Sequence, residues 1–180
     1  MQDDAQGRFA ALVLPHLDAA YNLARWLVRD AHDAQDVVQD ALVRALRHFD
    51  GFRGGDPRPW LLAIVRNAAF AWLGARRPGE VEVPDDELDA ALAVGAPPGD
   101  PETLAIRRAE RREIDAAIAA LPIAFREAVV LRELEELSYR DIARIPDVPI
   151  GTVMSRLSRG RRLLADALRP SARPDLRSVA

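Results

Sequence analysis

No cysteine and no lysine occur among the 180 residues of this chain. The first absence excludes a disulfide framework and thiolate chemistry. The second makes every basic residue an arginine, a bias that by itself separates no function classes. Aromatic residues are scarce at 6%, so a core drawn from the 49% apolar content must be mostly aliphatic. No apolar run approaches the roughly 18 residues of a membrane span. The opening stretch, MQDDAQGRFAAL, is acidic and interrupted, unlike a secretory signal. A cytoplasmic protein without membrane insertion is expected. The three histidines, His16, His32 and His48, are isolated and make no metal-ligand spacing such as His-Glu-x-x-His. No Gly-Lys-Ser/Thr phosphate loop is present, and GFRGG has no strand before it. An enzyme, a metal site, a cofactor and a small-molecule substrate are therefore not expected.

Net charge is only −3, which on its face argues against a nucleic-acid partner. Its distribution argues the other way. Residues 51–77 carry five arginines and one acid, and residues 151–180 carry seven arginines and two acids. Between them, residues 78–103 hold eight acids and no base. Attraction to phosphate acts within about 8 Å at physiological salt, so these local blocks matter more than the total.

Hydrophobic periodicity is helical throughout, and no strand pattern competes. Residues 7–30 read as a helix bent or restarted at Pro15, with Leu17, Tyr21, Ala24 and Val28 at helical spacing. Asp33 is a candidate N-cap for the next helix, over residues 34–49. There Val37, Val38, Ala41, Leu42, Ala45, Leu46 and Phe49 form one apolar stripe opposite Asp36, Gln39, Asp40, Arg44 and Arg47. The loop DGFRGGDPRP follows, and residues 59–76 form a third helix with Pro59 in its first turn, apolar nearly all round and so expected to be well buried. Prolines 78, 84, 97, 98 and 101 and the acid run then mark a linker, with room for a short helix at 85–93. Residues 102–120, 123–136, 138–145 and 149–168 read as four further helices. The expected architecture is all-α: a helical domain over 1–77, an acidic Pro-rich linker over 78–103, a second helical domain over 104–169, and a disordered tail over 170–180.

The stretch LSYRDIARIPDVPIGTVMSRLSRGRRLL has the form of a helix-turn-helix. Ser138 is a natural N-cap and pairs in capping-box fashion with Asp141. Pro146 cannot donate a helical hydrogen bond and pushes Ile145 out of the helical region, so the first helix must stop by about 145. Asp147 falls where the turn needs a left-handed residue, a conformation aspartate tolerates better than most. Pro149 suits the first turn of the second helix. Val148, Val153, Leu157 and Leu164 can pack inward, while Thr152, Ser155, Arg156, Arg159 and Arg162 lie on outward or flanking faces. Arginine can read guanine edges bidentately, and serine and threonine suit phosphates or several bases. The competing reading is a basic terminal helix on a bundle, where Arg161 and Arg162 merely complement the helix dipole.

Together with the preceding LPIAFREAVVLRELEE, this stretch resembles the promoter-reading C-terminal domain of bacterial sigma factors of the extracytoplasmic-function group. The segment DAQDVVQDALVRALRHFDGFRGGDPRPWLLAIVRNAAFAWL resembles that group's other domain, so the likeness covers most of residues 10–168. It implies a transcription initiation factor that binds core RNA polymerase and promoter DNA, recognises the −10 and −35 elements, assists melting, and is not itself a catalyst. It implies that Asp36, Gln39 and Asp40 dock on the polymerase. Arg53, Arg58 and Arg66 would meet phosphates at the −10 element, Asn67 an unpaired base edge, and Gly54 and Gly55 would let the loop approach a flipped base. Thr152, Ser155, Arg156, Arg159 and Arg162 would face the −35 element. Trp60 and Trp72 sit on so apolar a helix that core packing is expected over base stacking. The linker would run through the polymerase, and an anti-sigma factor is an expected partner. Two departures stand out: Met154 replaces a basic residue common at its position, removing one cationic contact, and Pro146-Asp147 replaces a Leu-Gly turn. A protein-interaction decoy and a dimeric helix-turn-helix regulator are the competing functions; the second leaves DAQDVVQD and the 51–77 basic block unexplained.

Overall fold

The computed structural model describes residues 2–75 and 101–169. The expected tail, most of the linker and the helix at 85–93 lie outside the described residues. Helix α1 runs from Gln2 to Val13, and Pro15 imposes a 3-10 turn over Leu14–His16 before α2, Leu17–Val28. The restart expected at Pro15 is therefore present. Arg29 closes α2 in the left-handed region (φ 64°), its N–H donating to the Arg25 carbonyl at 2.9 Å.

Helix α3, Ala31–Arg47, begins earlier than expected. Its cap is Asp30, whose Oδ1 accepts the Asp33 N–H at 2.8 Å. Asp33 is thus the third helical residue, supplying the donor that needs capping rather than the cap. The stripe is also narrower than its sequence suggests: Val37, Val38, Ala41, Ala45 and Phe49 are buried, but Leu46 is 46% exposed. Helix α4 spans Pro57–Ala75 and buries Pro59, Leu61, Leu62, Val65, Ala68 and Ala69. Pro57 rather than Pro59 takes its first position, and the Asp56 carboxylate caps it by accepting the Arg58 N–H at 2.9 Å. The α2, α3 and α4 helices pack mutually into a three-helix core. Phe9, Phe49, Phe52 and Trp60 seal one end, with neighbouring ring centroids 5.1–6.4 Å apart. Trp60 is accordingly spent on packing, and Trp72 also packs against the core.

The second domain opens with α5, Pro101–Ala120, followed after Pro122 by α6, Ile123–Val129. Helix α6 does not continue to 136 in α-helical form. Over Val130–Leu134 it widens into a π-type turn, where the Glu135 N–H donates to the Val130 carbonyl at 3.0 Å. Glu136 then takes φ 52°, and the Leu137 N–H donates to the Leu131 carbonyl. The extra residue in this turn goes with a buried Glu135, 5% exposed.

Helices α7, Tyr139–Arg144, and α8, Ile150–Ala167, complete the helix-turn-helix. Ser138 caps α7, with its Oγ accepting the Asp141 N–H at 3.1 Å and donating to Asp141 Oδ2 at 2.5 Å. Ahead of Pro146, α7 ends at Arg144, but Ile145 keeps helical backbone angles (φ −65°, ψ −55°) and is not pushed out of the helical region as expected. Asp147 adopts φ 52°, and the Val148 N–H reaches back to the Ala143 carbonyl at 2.9 Å. Pro149 stands just before α8 rather than in its first turn. Asp147 is exposed, and its side chain makes no hydrogen bond or ion pair with the described residues to offset the left-handed strain. Asp147→Gly is therefore expected to stabilise the protein by about 0.5–1 kcal/mol, the strain relieved exceeding the added chain entropy. The midpoint of urea unfolding reports the change, and a decrease would contradict it.

Candidate nucleic-acid interface

Three surfaces carry the residues singled out by sequence. The first is the loop before α4. Gly54 and Gly55 adopt φ 86° and 92°, and neither has a heavy atom within 4 Å of the position a Cβ would take. Backbone geometry, not crowding, requires glycine there. Arg53, Gly54 and Gly55 are exposed at the loop tip, and Asn67 is exposed on α4. Arg58 and Arg66 share a side of α4 but do not face open solvent. Arg58 NH2 donates to Glu135 Oε2 at 2.5 Å, and Arg66 Nε donates to Glu127 Oε1 at 2.5 Å while its guanidinium lies 4.3 Å from the Phe70 ring centre. Arg66 also donates to the Asn67 side-chain oxygen at 3.4 Å.

The second surface is α8. Val153 and Leu157 are buried, and Val148 and Leu164 are partly buried. Ser155, Arg159 and Arg162 project outward, with Thr152 and Arg156 half-buried beside them. Met154 is 54% exposed among them. Arg161, the neighbour of Arg162, is instead tied to Glu133 by two bonds of 2.9 and 2.6 Å. The basic run thus divides into one structural arginine and an outward set. The third surface is the polar side of α3, where Asp36, Gln39 and Asp40 are all exposed. Asp36 pairs with His32 at 3.5 Å and Asp40 with Arg44 at 2.7 Å. Val43 and Leu46 add exposed apolar area to this helix.

Sequence reasoning missed Glu127 and Glu135. Glu127 is only 2% exposed, and its burial pushes its carboxyl above the usual carboxylate range, opposed by the charge and hydrogen bond of Arg66 and by the charge of Arg156. One carboxylate of α6 therefore feels an arginine from the first surface and another from the second. A carboxyl whose folded value lies above its unfolded one takes up its proton first in the folded state. Its contribution to stability thus rises as pH falls through the folded value and levels off below the unfolded value, about 4.3. Glu127→Gln is expected to remove this component, so that wild type gains on the variant as pH is lowered towards that range. Parallel thermal melts would show it; identical pH profiles would count against it.

Arg126, next in the chain, donates to the Trp26 carbonyl at 3.1 Å and the Leu121 carbonyl at 2.9 Å. Burial, reinforced by the charge of Arg29, pushes it down to about 10. Asn22 donates to Glu135 at 2.6 Å. These bonds seat α6 of the second domain against α2 and α4 of the first.

Residues 12–77 match the family Sigma-70 region 2, and residues 111–164 match Sigma-70, region 4. The chain is 38% identical over 151 residues to the ECF RNA polymerase sigma-E factor of Escherichia coli K12, covering 78% of this chain and 76% of that one. It is 36% identical over 170 residues to the RNA polymerase sigma-H factor of Pseudomonas aeruginosa, covering 92% and 88%. The chain belongs to the extracytoplasmic-function sigma factors of the sigma-70 family. A further relative, the ECF RNA polymerase sigma factor SigE of Mycolicibacterium smegmatis, is 35% identical, and the match spans 65% of its greater length. Two solved structures resemble this sigma factor over nearly its whole length. One is the sigma factor RpoE in complex with the anti-sigma factor NepR from Bartonella quintana, with TM-score 0.65, 29% identity and coverage of 95% of this chain and 99% of that one. The other is CnrH in complex with the cytosolic domain of CnrY, with TM-score 0.63, 25% identity and coverage of 91% and 88%. In this sigma factor the first and third surfaces belong to region 2 and the second to region 4.

Proposed function

We propose that this sigma factor binds core RNA polymerase and directs it to promoters by a two-part grip, region 2 on the −10 element and region 4 on the −35 element. The observation that carries this reading is the pairing, in one chain, of a glycine-tipped arginine loop with a helix-turn-helix whose second helix projects Thr152, Ser155, Arg156, Arg159 and Arg162. Helix α8 enters the major groove by its N-terminal half, where Arg156 reads base edges and Arg159 and Arg162 meet phosphates. In region 2, Arg53, Arg58 and Arg66 hold the backbone of the separating strands. Asn67 reads an exposed base edge, and Gly54 and Gly55 admit the flipped base beside the loop. Asp36, Gln39 and Asp40 dock on the polymerase, with Val43 and Leu46 supplying apolar contact beside them. Met154 provides no cation, so the −35 complex makes one phosphate contact fewer than a basic residue there would give and is correspondingly less sensitive to salt.

The polymerase performs the chemistry, and this protein is not an enzyme. It acts in the cytoplasm, and no described helix is long and apolar enough to cross a membrane. An anti-sigma factor is a further partner, a reading supported by one structural relative, the sigma factor RpoE, which was solved in complex with the anti-sigma factor NepR. Abortive transcription with purified core polymerase tests the assignment. A promoter-dependent product that requires this chain is expected. Binding of an anti-sigma factor without any such product would favour a decoy, and DNA binding as a dimer without affinity for polymerase would favour an ordinary regulator.

A further inference from the structure

Helix α8 carries an apolar strip among cations and hydroxyls. Ile150 is 43% exposed and Met154 is 54% exposed. They stand four residues apart, one turn above the other on the same flank of the helix. Val153 and Leu157, each 1% exposed, turn into the domain and fix which side of α8 is left open. A lone exposed apolar residue needs no explanation. Here two adjoin on the N-terminal half of the second helix of a helix-turn-helix, the half that enters the major groove. Residues 150–162 include four arginines and no acid. Arg161 is spent on Glu133, but Arg156, Arg159 and Arg162 keep the surroundings of the strip cationic. A polyanion fits such a surface, whereas an apolar protein partner would desolvate those charges without pairing them. In the major groove the one apolar group open to a side chain is the C5 methyl of thymine.

We propose that Met154 is a specificity-determining residue that packs on the C5 methyl group of a thymine in the −35 element, with Ile150 extending the same contact surface. The inference rests on the assignment of α8 to that element made above, and it adds the base that this flank of the helix selects. An unbranched thioether chain can settle on a methyl group without demanding a fixed hydrogen-bond geometry. Cytosine at the same place has no methyl and presents its N4 amino donor, which a thioether pairs poorly. A basic residue here would instead hold a phosphate, a contact that carries no sequence information. The apolar side chain thus exchanges a sequence-blind contact for a base-selective one. At about 100° per residue, Met154 and Arg156 lie on opposite flanks of Ser155. The thymine is therefore read at a different base pair from the one that Arg156 reads.

The test uses the full chain assembled with core polymerase. Promoter DNA is selected from a random pool by this complex, and each thymine of the −35 element, on either strand, is then replaced singly by deoxyuridine. The replacement removes the methyl group and leaves every hydrogen-bonding group in place. At one position it is expected to lower promoter affinity about three- to fivefold, the loss given by uncovering one methyl group. Met154→Gln, similar in length but polar, is expected to abolish this penalty at that position alone. Met154→Leu, which stays apolar, is expected to keep it. A merely structural role would weaken binding to the thymine and deoxyuridine promoters alike and leave their ratio unchanged. Met154 is exposed, so both variants should fold, and circular dichroism melts check this. If no deoxyuridine replacement affects the wild type, or if the penalty persists in Met154→Gln, the thymine contact is overturned while the assignment of α8 stands. If the wild type is indifferent to every base change in the −35 element, that assignment fails and the inference falls with it.

Discussion

Arg156→Ala is expected to lower promoter-dependent initiation by about five- to a hundredfold. Arg156 lies in the N-terminal half of α8, where a helix in the major groove brings its side chains to base edges. A bidentate arginine–guanine contact is worth about 1–3 kcal/mol, which sets this range. Arg156 is half-buried, and its charge acts on the Glu127 carboxyl. Fold stability should change little, because neighbouring Val153 and Leu157, not Arg156, anchor the helix to the domain. The measurement is abortive transcription at saturating polymerase over a set of promoters with single substitutions in the −35 element. The loss should be concentrated at one base position, where the variant should also become indifferent to substitution. A uniform loss across all sequences, with a reduced salt slope, would instead make Arg156 a phosphate contact. For comparison, Arg159→Ala is expected to give that uniform pattern, since Arg159 projects freely from the exposed side of the same helix.

The largest expected loss of stability follows Gly160→Val. Gly160 lies where α8 crosses α6, and a Cβ there would meet Val129 Cγ2 at 2.9 Å and both Phe125 Cβ and its carbonyl oxygen at 3.5 Å. Val129 is 1% exposed and β-branched, so its methyl has no neighbouring rotamer well to move into without displacing the core. Alanine would raise helix propensity by about 1 kcal/mol over glycine, yet the contact distance requires the two helices to separate, which cancels that gain. Valine adds two more carbons at the same point. Overpacking a closed contact of this kind costs about 1–3 kcal/mol, and the branched side chain places Gly160→Val at the upper end. Because α8 carries the proposed −35 contacts, tilting it off α6 should also reduce promoter binding. Urea unfolding and abortive transcription together check this. An unchanged unfolding midpoint would show that α6 and α8 are not held at this separation.

Neither effect on Gly160 nor the role of Glu127 was legible in the linear pattern, whereas the helix-turn-helix was. The difference is one of range. Pro146 stops α7 because it lacks an N–H within its own turn, and Ser138 caps α7 because Asp141 lies three residues away. Asp147 takes a left-handed φ where the chain turns back and the Val148 N–H donates to the Ala143 carbonyl. Each is a local consequence of residue chemistry, so sequence alone determined two all-helical units, the turn between α7 and α8, and the outward set on α8. Local rules also set their own margin of error. Asp30 and Asp33 both suit an N-cap, and only the position of the free N–H decides between them. Leu46 belongs to the apolar stripe of α3 by spacing, but no described helix covers it.

The partners of Arg58 and Arg66 are a different case. Glu135 lies 77 residues from Arg58, and Glu127 lies 61 residues from Arg66. In sequence both acids fall within the helix expected over 123–136, and the resemblance assigned both arginines to phosphate. Helical periodicity records which residues share a face, not which face of another domain will meet it. The sequence by itself determined which segments are helical, where the turn of the helix-turn-helix falls and which side chains form the outward set on α8, because those depend on contacts within a few residues. Only the tertiary structure decided that α6 would seat on α2 and α4, that a π-type turn would accompany the burial of Glu135, and that the region 2 arginines would meet carboxylates. Those outcomes depend on which distant surfaces exclude water from one another.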